Sequence, residues 1–232
     1  MANEISEKTA ETEPTEIEVR MDPYARTMFR HMEQTKEYVQ CTTCMEVDMS
    51  AVAGLRKQQK YSYTTFIVHA VSRAIINSPY INSSYNPETK KIILKKNINL
   101  GVALDQHGKL MVPVIHNTDK LSLEEVDAAI RGFRQKAEAG KMTIADMDGA
   151  TFTITNSGVF GSLLSAPVIS YPQSAILGIA GINDRPVVRN GEIVIRPICI
   201  LCLSYDHRII EGSVALKFLA TVRDFLHNMT LQ

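Results

Sequence analysis

The chain has 232 residues, 45% of them hydrophobic, and its 25 Lys and Arg are matched by 25 Asp and Glu. That is enough apolar material for one large core or two small ones. There is no dense basic block of the kind nucleic acid requires and no apolar run of about 18 residues to span a bilayer, so neither a nucleic-acid nor a membrane partner is expected.

Residues 1 to 20, MANEISEKTAETEPTEIEVR, hold six Glu and no apolar run. They read as an acidic disordered tail, because so few apolar side chains cannot offset the entropy of ordering it. They resemble neither a secretory signal nor an Arg-rich transit peptide, which points to the cytoplasm.

Residues 24–38 are predicted to be helical, and CTTCMEVDM (41–49) reads as a strand. Helices are expected at about 50–60 and 64–78, the second from Phe66, Ile67, Ala70, Val71, Ala74 and Ile75 at helical spacing. His69 falls within that apolar pattern and reads as a packed, hydrogen-bonded histidine. INLGVALD and KLMVPVIH flank QHGK as a hairpin, with His107 in the turn and His116 at a strand end. Ser122 and Glu125 form a capping box that opens a helix through about residue 138. ATFTITN and SAILGIAGI read as strands, and PVVRNGEIVIRP as a hairpin on Asn190-Gly191. A last strand, PICILCLSY, delivers His207, and an amphipathic helix follows from about 213 to 228. Long helices with a mixed set of strands make the class α/β or α+β, a sheet with helices packed on it.

The four cysteines fall as two C-x-x-C pairs, Cys41/Cys44 and Cys199/Cys202, a spacing shared with zinc sites. Both pairs lie in predicted strands, where residues three apart point to opposite faces. The thiols of one pair therefore cannot both turn to one ion, and the cysteines read as small buried hydrophobes in a reducing compartment rather than as a metal or redox site.

SYDHRIIEG (204–212) places His207 where a buried strand ends. A histidine so placed can hold one ring nitrogen on a protein acceptor and keep the other as a base, or it can simply cap the strand. No phosphate-cradling glycine loop or G-x-S-x-G elbow competes with it. Two segments decide between these readings, the set H-R-x-x-E-G and the hydroxyl-rich TFTITNSGVFGS (151–162).

Together with EVDMSAVAGLRK (46–57), LGVALDQHGKLMVPVIHN (100–117), KMTIADMDGATFTITNSGVFGS (141–162) and YPQSAILGI (171–179), they resemble the catalytic domain of the dihydrolipoamide acyltransferases of 2-oxo acid dehydrogenase complexes. The resemblance runs collinearly from about residue 20 to 230 and implies a chloramphenicol acetyltransferase-like two-layer sandwich, a mixed sheet covered by helices. On this reading residues 21–232 are one acyltransferase domain, with no lipoyl or peripheral-subunit-binding domain, and the chain is either an excised core or receives its acyl groups on a lipoyl group supplied in trans.

The implied activity is acyl transfer between the thiols of dihydrolipoamide and coenzyme A. The family motif H-x-x-x-D-G puts its histidine on His207, as general base for the incoming thiol. Its hydroxyl donor to the oxyanion falls on Thr155, 207 − 155 = 52 residues earlier. The motif's aspartate is Glu211 here, at the position whose carboxylate supports the active-site loop through an arginine, with Arg26 and Arg30 as its possible partners. The family's trimers place each active site between subunits, so a homotrimer is expected, with a lipoyl carrier and dehydrogenase subunits as further partners. GVFGSLLS resembles succinyl-transferring members, whereas YPQSAIL and ILCLSYDHR suit acetyl or branched-chain ones equally. The alternative to a working enzyme is a structural or regulatory core subunit of the same fold, weakened at Glu211.

Overall fold

The computed structural model describes residues 18–59, 61–106 and 108–230. The expected tail falls on 1–17 for most of its length, and these residues, like His107, lie outside the described ones.

In chain order the elements are α1 (Pro23–Glu33), β1 (Gln40–Asp48), α2 (Ser50–Gln59), α3 (Tyr63–Ile76), β2 (Ser83–Asn86), β3 (Lys91–Leu94), β4 (Leu100–Val102), β5 (Leu104–Gln106), β6 (Lys109–Met111), β7 (Val114–Ile115), α4 (Leu123–Glu138), β8 (Phe152–Asn156), β9 (Ala175–Ile179), β10 (Asn183–Arg189), β11 (Glu192–Asp206) and α5 (Gly212–His227). The main sheet runs β1-β11-β9-β8-β4-β7, with β10 on β11. β8 is parallel to β4 and β9, whereas β1, β9 and β10 run antiparallel to β11 and β7 antiparallel to β4, so the sheet is mixed as expected.

Alternation along the strands separates two faces. One carries Cys41, Met45, Val47, Phe152, Ile154, Ala175, Leu177, Ile179, Cys199, Leu201, Leu203 and Tyr205, all part of one apolar core with α3 and α5. Phe152 meets Phe218 of α5 edge-on at 6.0 Å, both fully buried. Each such ring contributes roughly 1.5–3 kcal/mol by burial. Successive cross-strand partners on the other face are polar or small: Thr42 opposite Ser204, Cys44 opposite Cys202, with Gly178 and Thr155 continuing the second row.

α3 forms because its apolar spacing gives it a side to bury, and the predicted residues Phe66 through Ile75 are buried. Ser62 caps its start by accepting from the Thr65 amide, and Thr65 in turn donates to the buried Asp127 of α4 at 2.8 Å. α4 opens on the predicted capping box, the Ser122 hydroxyl accepting from the Glu125 amide and the Glu125 carboxylate from the Ser122 amide.

Three expectations need correction. The first helix ends at Glu33 rather than 38: Thr35 bonds back to the Met32 carbonyl, a local alternative to continuing the helix, and α1 has no buried residue to favour extension. PVVRNGEIVIRP and PICILCLSY are not separate strands, because β11 runs unbroken through Pro197: β10 pairs with it up to Ile198 and β9 from Leu201, β1 joins it from Ile198 onward, and the proline carbonyl accepts from the Met49 amide at 2.8 Å. The hairpin turn itself is as expected, with Asn190 and Gly191 at φ 52° and 83°. His69 is half-buried but its Nδ1 has no hydrogen-bond partner among the described residues. Among those residues, no helix is long and apolar enough to cross a membrane.

Candidate active site

The three sequence-selected residues sit on different elements. Thr155 lies near the end of β8, half-buried, and its hydroxyl forms no hydrogen bond among the described residues. Two residues of turn follow it, shaped by Asn156, whose side chain accepts from the Gly158 amide and donates to Thr64. Gly158 must be glycine, since a Cβ there would lie 2.5 Å from the Ala180 carbonyl carbon and 2.7 Å from the Gly181 nitrogen.

His207 is the first residue after β11, in the turn that leads to α5, and its ring is exposed. The backbone of this turn is held from several directions. The His207 amide donates to Val39 O at 2.8 Å, the Asp206 amide to Ser174 O at 2.9 Å, and the Ile209 and Ile210 amides return to Asp206 O. Asp206, 1% exposed, receives Arg208 through Nε and Nη2 at 2.7–3.0 Å. The Arg208 guanidinium also lies 5.4 Å from each ring centroid of Tyr38 and Tyr85. Burial, and after it the Asp206 charge, pushes the Tyr38 phenol up to about 12, so Tyr38 stays a neutral wall for this pair. This frame was readable only as an Asp and an Arg flanking His207; its two tyrosines come from distant segments and carried no local signal.

The His207 ring itself has only an aromatic neighbour, Tyr205, at 5.7 Å, and no hydrogen-bond partner among the described residues. The expected acceptor for one ring nitrogen is therefore not found among the described residues.

Glu211 precedes α5 at the N-cap, exposed, with no side-chain capping bond. It forms no ion pair among the described residues; Arg26 and Arg30 are exposed on α1 and do not reach it. Its carboxylate still benefits from the positive end of the helix.

Sheet register decides how these residues relate. Thr155 is opposite Gly178, and Gly178 is opposite Cys202, so Thr155 lies two strands from Cys202 at the same level. His207 is five residues beyond Cys202 along the chain. At about 4.8 Å per strand and 3.3 Å per residue, that is roughly 10 Å across and 16 Å along, about 19 Å in all. Thr155 and His207 thus stand at opposite ends of the sheet. A cleft of about 1,100 Å³ among α3, α4 and α5 is lined by His69, Arg73 and Glu124 and contains none of the three.

Of the cysteines, Cys41 and Cys199 face the core, as strand alternation requires. Cys44 departs from the expected burial and is exposed, because β1 is an edge strand. No group of three or more His, Cys, Asp or Glu among the described residues could hold a metal ion.

The family model for 2-oxoacid dehydrogenases acyltransferase (catalytic domain) matches residues 13–232, and the chain belongs to that family. It is 39% identical over 227 residues to the dihydrolipoyllysine-residue succinyltransferase component of the 2-oxoglutarate dehydrogenase complex of Bartonella vinsonii subsp. berkhoffii, covering 93% of this chain and 55% of that protein. The chain thus spans about half the length of the curated relatives it matches. Among solved structures, a probable dihydrolipoamide acetyltransferase from Listeria monocytogenes superposes with a TM-score of 0.86 at 33% identity, over 94% of this chain and 99% of that one. The Azotobacter vinelandii dihydrolipoamide acetyltransferase, solved in a study of the catalytic role of a serine, a histidine and an asparagine, also gives 0.86 at 28% identity, over 91% of each chain. Chloramphenicol acetyltransferase gives 0.59 at 16% identity, over 90% of this chain and 98% of that one, a likeness of fold alone. The expected two-layer architecture is thereby found.

Proposed function

We propose that this chain is a thiol acyltransferase that moves a succinyl group between dihydrolipoamide and coenzyme A, with the active site completed by a second copy of the chain. The single observation that carries the assignment of roles is spacing. In the A. vinelandii enzyme the serine, histidine and asparagine are separated by 52 and then 4 positions. Thr155, His207 and Glu211 have the same separations here, on a chain of the same fold. The succinyl group follows from the relatives, several of which, at 37–40% identity, are named as succinyltransferase components.

In this reading His207 takes the proton of the incoming thiol. Thiols have a pKa near 8.5, so few are ionised at neutral pH, and a positioned base is worth about 10²–10⁴-fold. The thiolate attacks the thioester carbonyl, and the unengaged Thr155 hydroxyl donates to the oxyanion, for about 10²–10³-fold. Asp206, Arg208, Tyr38 and Tyr85 hold the turn that carries His207 and touch no reacting atom. The acyl group arrives on a lipoyl carrier, and the assembly partners are the dehydrogenase subunits of such a complex. Coenzyme A and lipoamide are substrates, and the chemistry requires no metal.

Separation of Thr155 and His207 by about 19 Å supports a site shared between copies. Apolar surface supports it further: α1 buries no residue, and Val159, Phe160, Leu163 and Leu164, just past Thr155, are exposed, Phe160 by 76%. A trimer is the assembly we infer, and a light-scattering mass far above three chains would exclude it.

One observation favours the alternative of a weakened core subunit: Glu211 forms no ion pair among the described residues. Acyl transfer from succinyl-, acetyl- and isobutyryl-coenzyme A to dihydrolipoamide, for the parent, His207→Ala and Glu211→Asp, tests both readings. Succinyl transfer that collapses in His207→Ala is expected. A folded oligomer with no transfer from any donor would leave the core-subunit reading.

A further inference from the structure

The register that joins β1 to β11 sets Cys44 directly opposite Cys202, with their sulfurs 3.0 Å apart. We propose that Cys44 and Cys202 form a redox-active dithiol that closes to an intrachain disulfide when exposed to a small-molecule disulfide such as oxidised glutathione. Nothing in this inference depends on the acyltransfer chemistry.

Geometry carries it. Directly opposed residues of an antiparallel pair have Cα atoms about 4.5–5.5 Å apart, inside the range of about 4.4–6.8 Å that disulfides span. Bringing the sulfurs from 3.0 Å to a bond of about 2.05 Å requires roughly 1 Å of side-chain movement and no backbone rearrangement. The pair combines one cysteine from each C-x-x-C, so the spacing that resembles a metal site is a by-product of strand alternation. No third ligand joins them to make a metal centre among the described residues.

The two thiols are unequal in access. Cys44 is exposed on the edge strand, and Cys202 is buried on the strand next to it. Cys44 is therefore the point of entry and Cys202 the resolving thiol. The Cys44 thiolate attacks one sulfur of oxidised glutathione, the glutathione disulfide bond breaks, and the first glutathione leaves and is protonated. Cys202 then loses its proton and attacks the Cys44 sulfur. The Cys44–Cys202 bond forms and the second glutathione leaves as a thiol. The protein dithiol gives up two electrons and two protons, and one glutathione disulfide becomes two thiols. The Cys44 thiol, whose sulfur leans on Cys202, is pushed up to about 12 by burial and then by its hydrogen bond with Cys202, so closure is slow and is read at equilibrium.

Closure would tie the edge strand to the strand that ends in His207, in the sheet row that also contains Gly178 and Thr155. The start of β1 adjoins Val39, whose carbonyl holds the His207 amide.

The test equilibrates the whole chain anaerobically in glutathione buffers of graded ratio, traps free thiols in acid, alkylates them and maps the peptides. In oxidising buffer the expected result is loss of two of the four alkylatable thiols and one cross-linked peptide joining Cys44 to Cys202, unchanged in Cys41→Ala and abolished in Cys44→Ser. Four alkylatable thiols at every ratio, a lasting glutathione adduct on Cys44, or cross-links between copies would each overturn the proposal.

Discussion

If Thr155 and His207 act on one substrate from neighbouring copies, two inactive variants should rescue one another. Each alone is crippled: Thr155→Ala loses an oxyanion donor worth about 10²–10³-fold, and His207→Ala loses a base worth about 10²–10⁴-fold. Within a single chain the register keeps the pair roughly 19 Å apart, whereas proton transfer and oxyanion binding both need contacts of about 3 Å. No side-chain rotation closes that gap. In a ring of copies each site takes one residue from either side of an interface. With equal amounts of the two variants mixed at random, about one quarter of the sites combine an intact threonine with an intact histidine. Co-refolded variants carrying two different affinity tags, purified through both to discard the unmixed trimers, should regain activity on the order of a third of the parent's, because one site in each mixed trimer is intact. Heteromers verified by both tags whose activity stays at the mean of the two variants would refute a shared site, and with it the placement of the two roles on opposite ends of the sheet.

Breaking the Asp206–Arg208 pair should be costly. Arg208→Met leaves a carboxylate that is 1% exposed without its cation. Such losses run to about 3–5 kcal/mol, with the lower end expected because Arg208 is 33% exposed; a urea midpoint shift equivalent to less than about 1 kcal/mol would contradict the frame. Gly158→Ala forces a Cβ against the Ala180 and Gly181 backbone and should cost about 1–3 kcal/mol while lowering turnover through the adjoining Thr155 turn. Wild-type stability in both assays would show that the turn relaxes freely. His69 gives a pH signature. Burial, and then the Arg73 charge, lowers its pKa below the ordinary 6.5, so the folded chain binds this proton less readily than the unfolded one. Below about pH 6.5 the unfolded chain binds the extra proton, and unfolding free energy falls as pH drops through that window and is level above it. The difference between the parent and His69→Gln in urea titrations at about pH 7.5 and about pH 5.5 should show this slope only in the parent; equal slopes would mean the ring is solvated.

Much of the local architecture was legible in the residues themselves. The spacing of Phe66, Ile67, Ala70, Val71, Ala74 and Ile75 defined α3, Ser122 with Glu125 defined the start of α4, and Asn190-Gly191 defined the hairpin, because each signal acts over one helical turn or one pair of central turn residues. Strand alternation also decided correctly that neither C-x-x-C could gather both thiols on one face. Thr155 and His207 were selected by resemblance at their spacing, and their placement near strand ends agrees with the sequence reading.

What lay beyond the sequence were relations between segments far apart in the chain. Cys44 meets Cys202 across 158 positions, and that contact exists only because β1 lies in one register on β11; a slip of one residue would turn the thiols to opposite faces. Pro197 looked like a break because proline lacks a donor, yet β11 continues past it, held by β10 before it and by β1 and β9 after it. Arg208 acquires Tyr38 and Tyr85 from elements more than a hundred positions away. Local propensity determined which stretches became helices and strands. The separation of Thr155 from His207 was decided by the order and direction of β8, β9 and β11, since a parallel step followed by an antiparallel one sends the two strand ends to opposite edges of the same sheet.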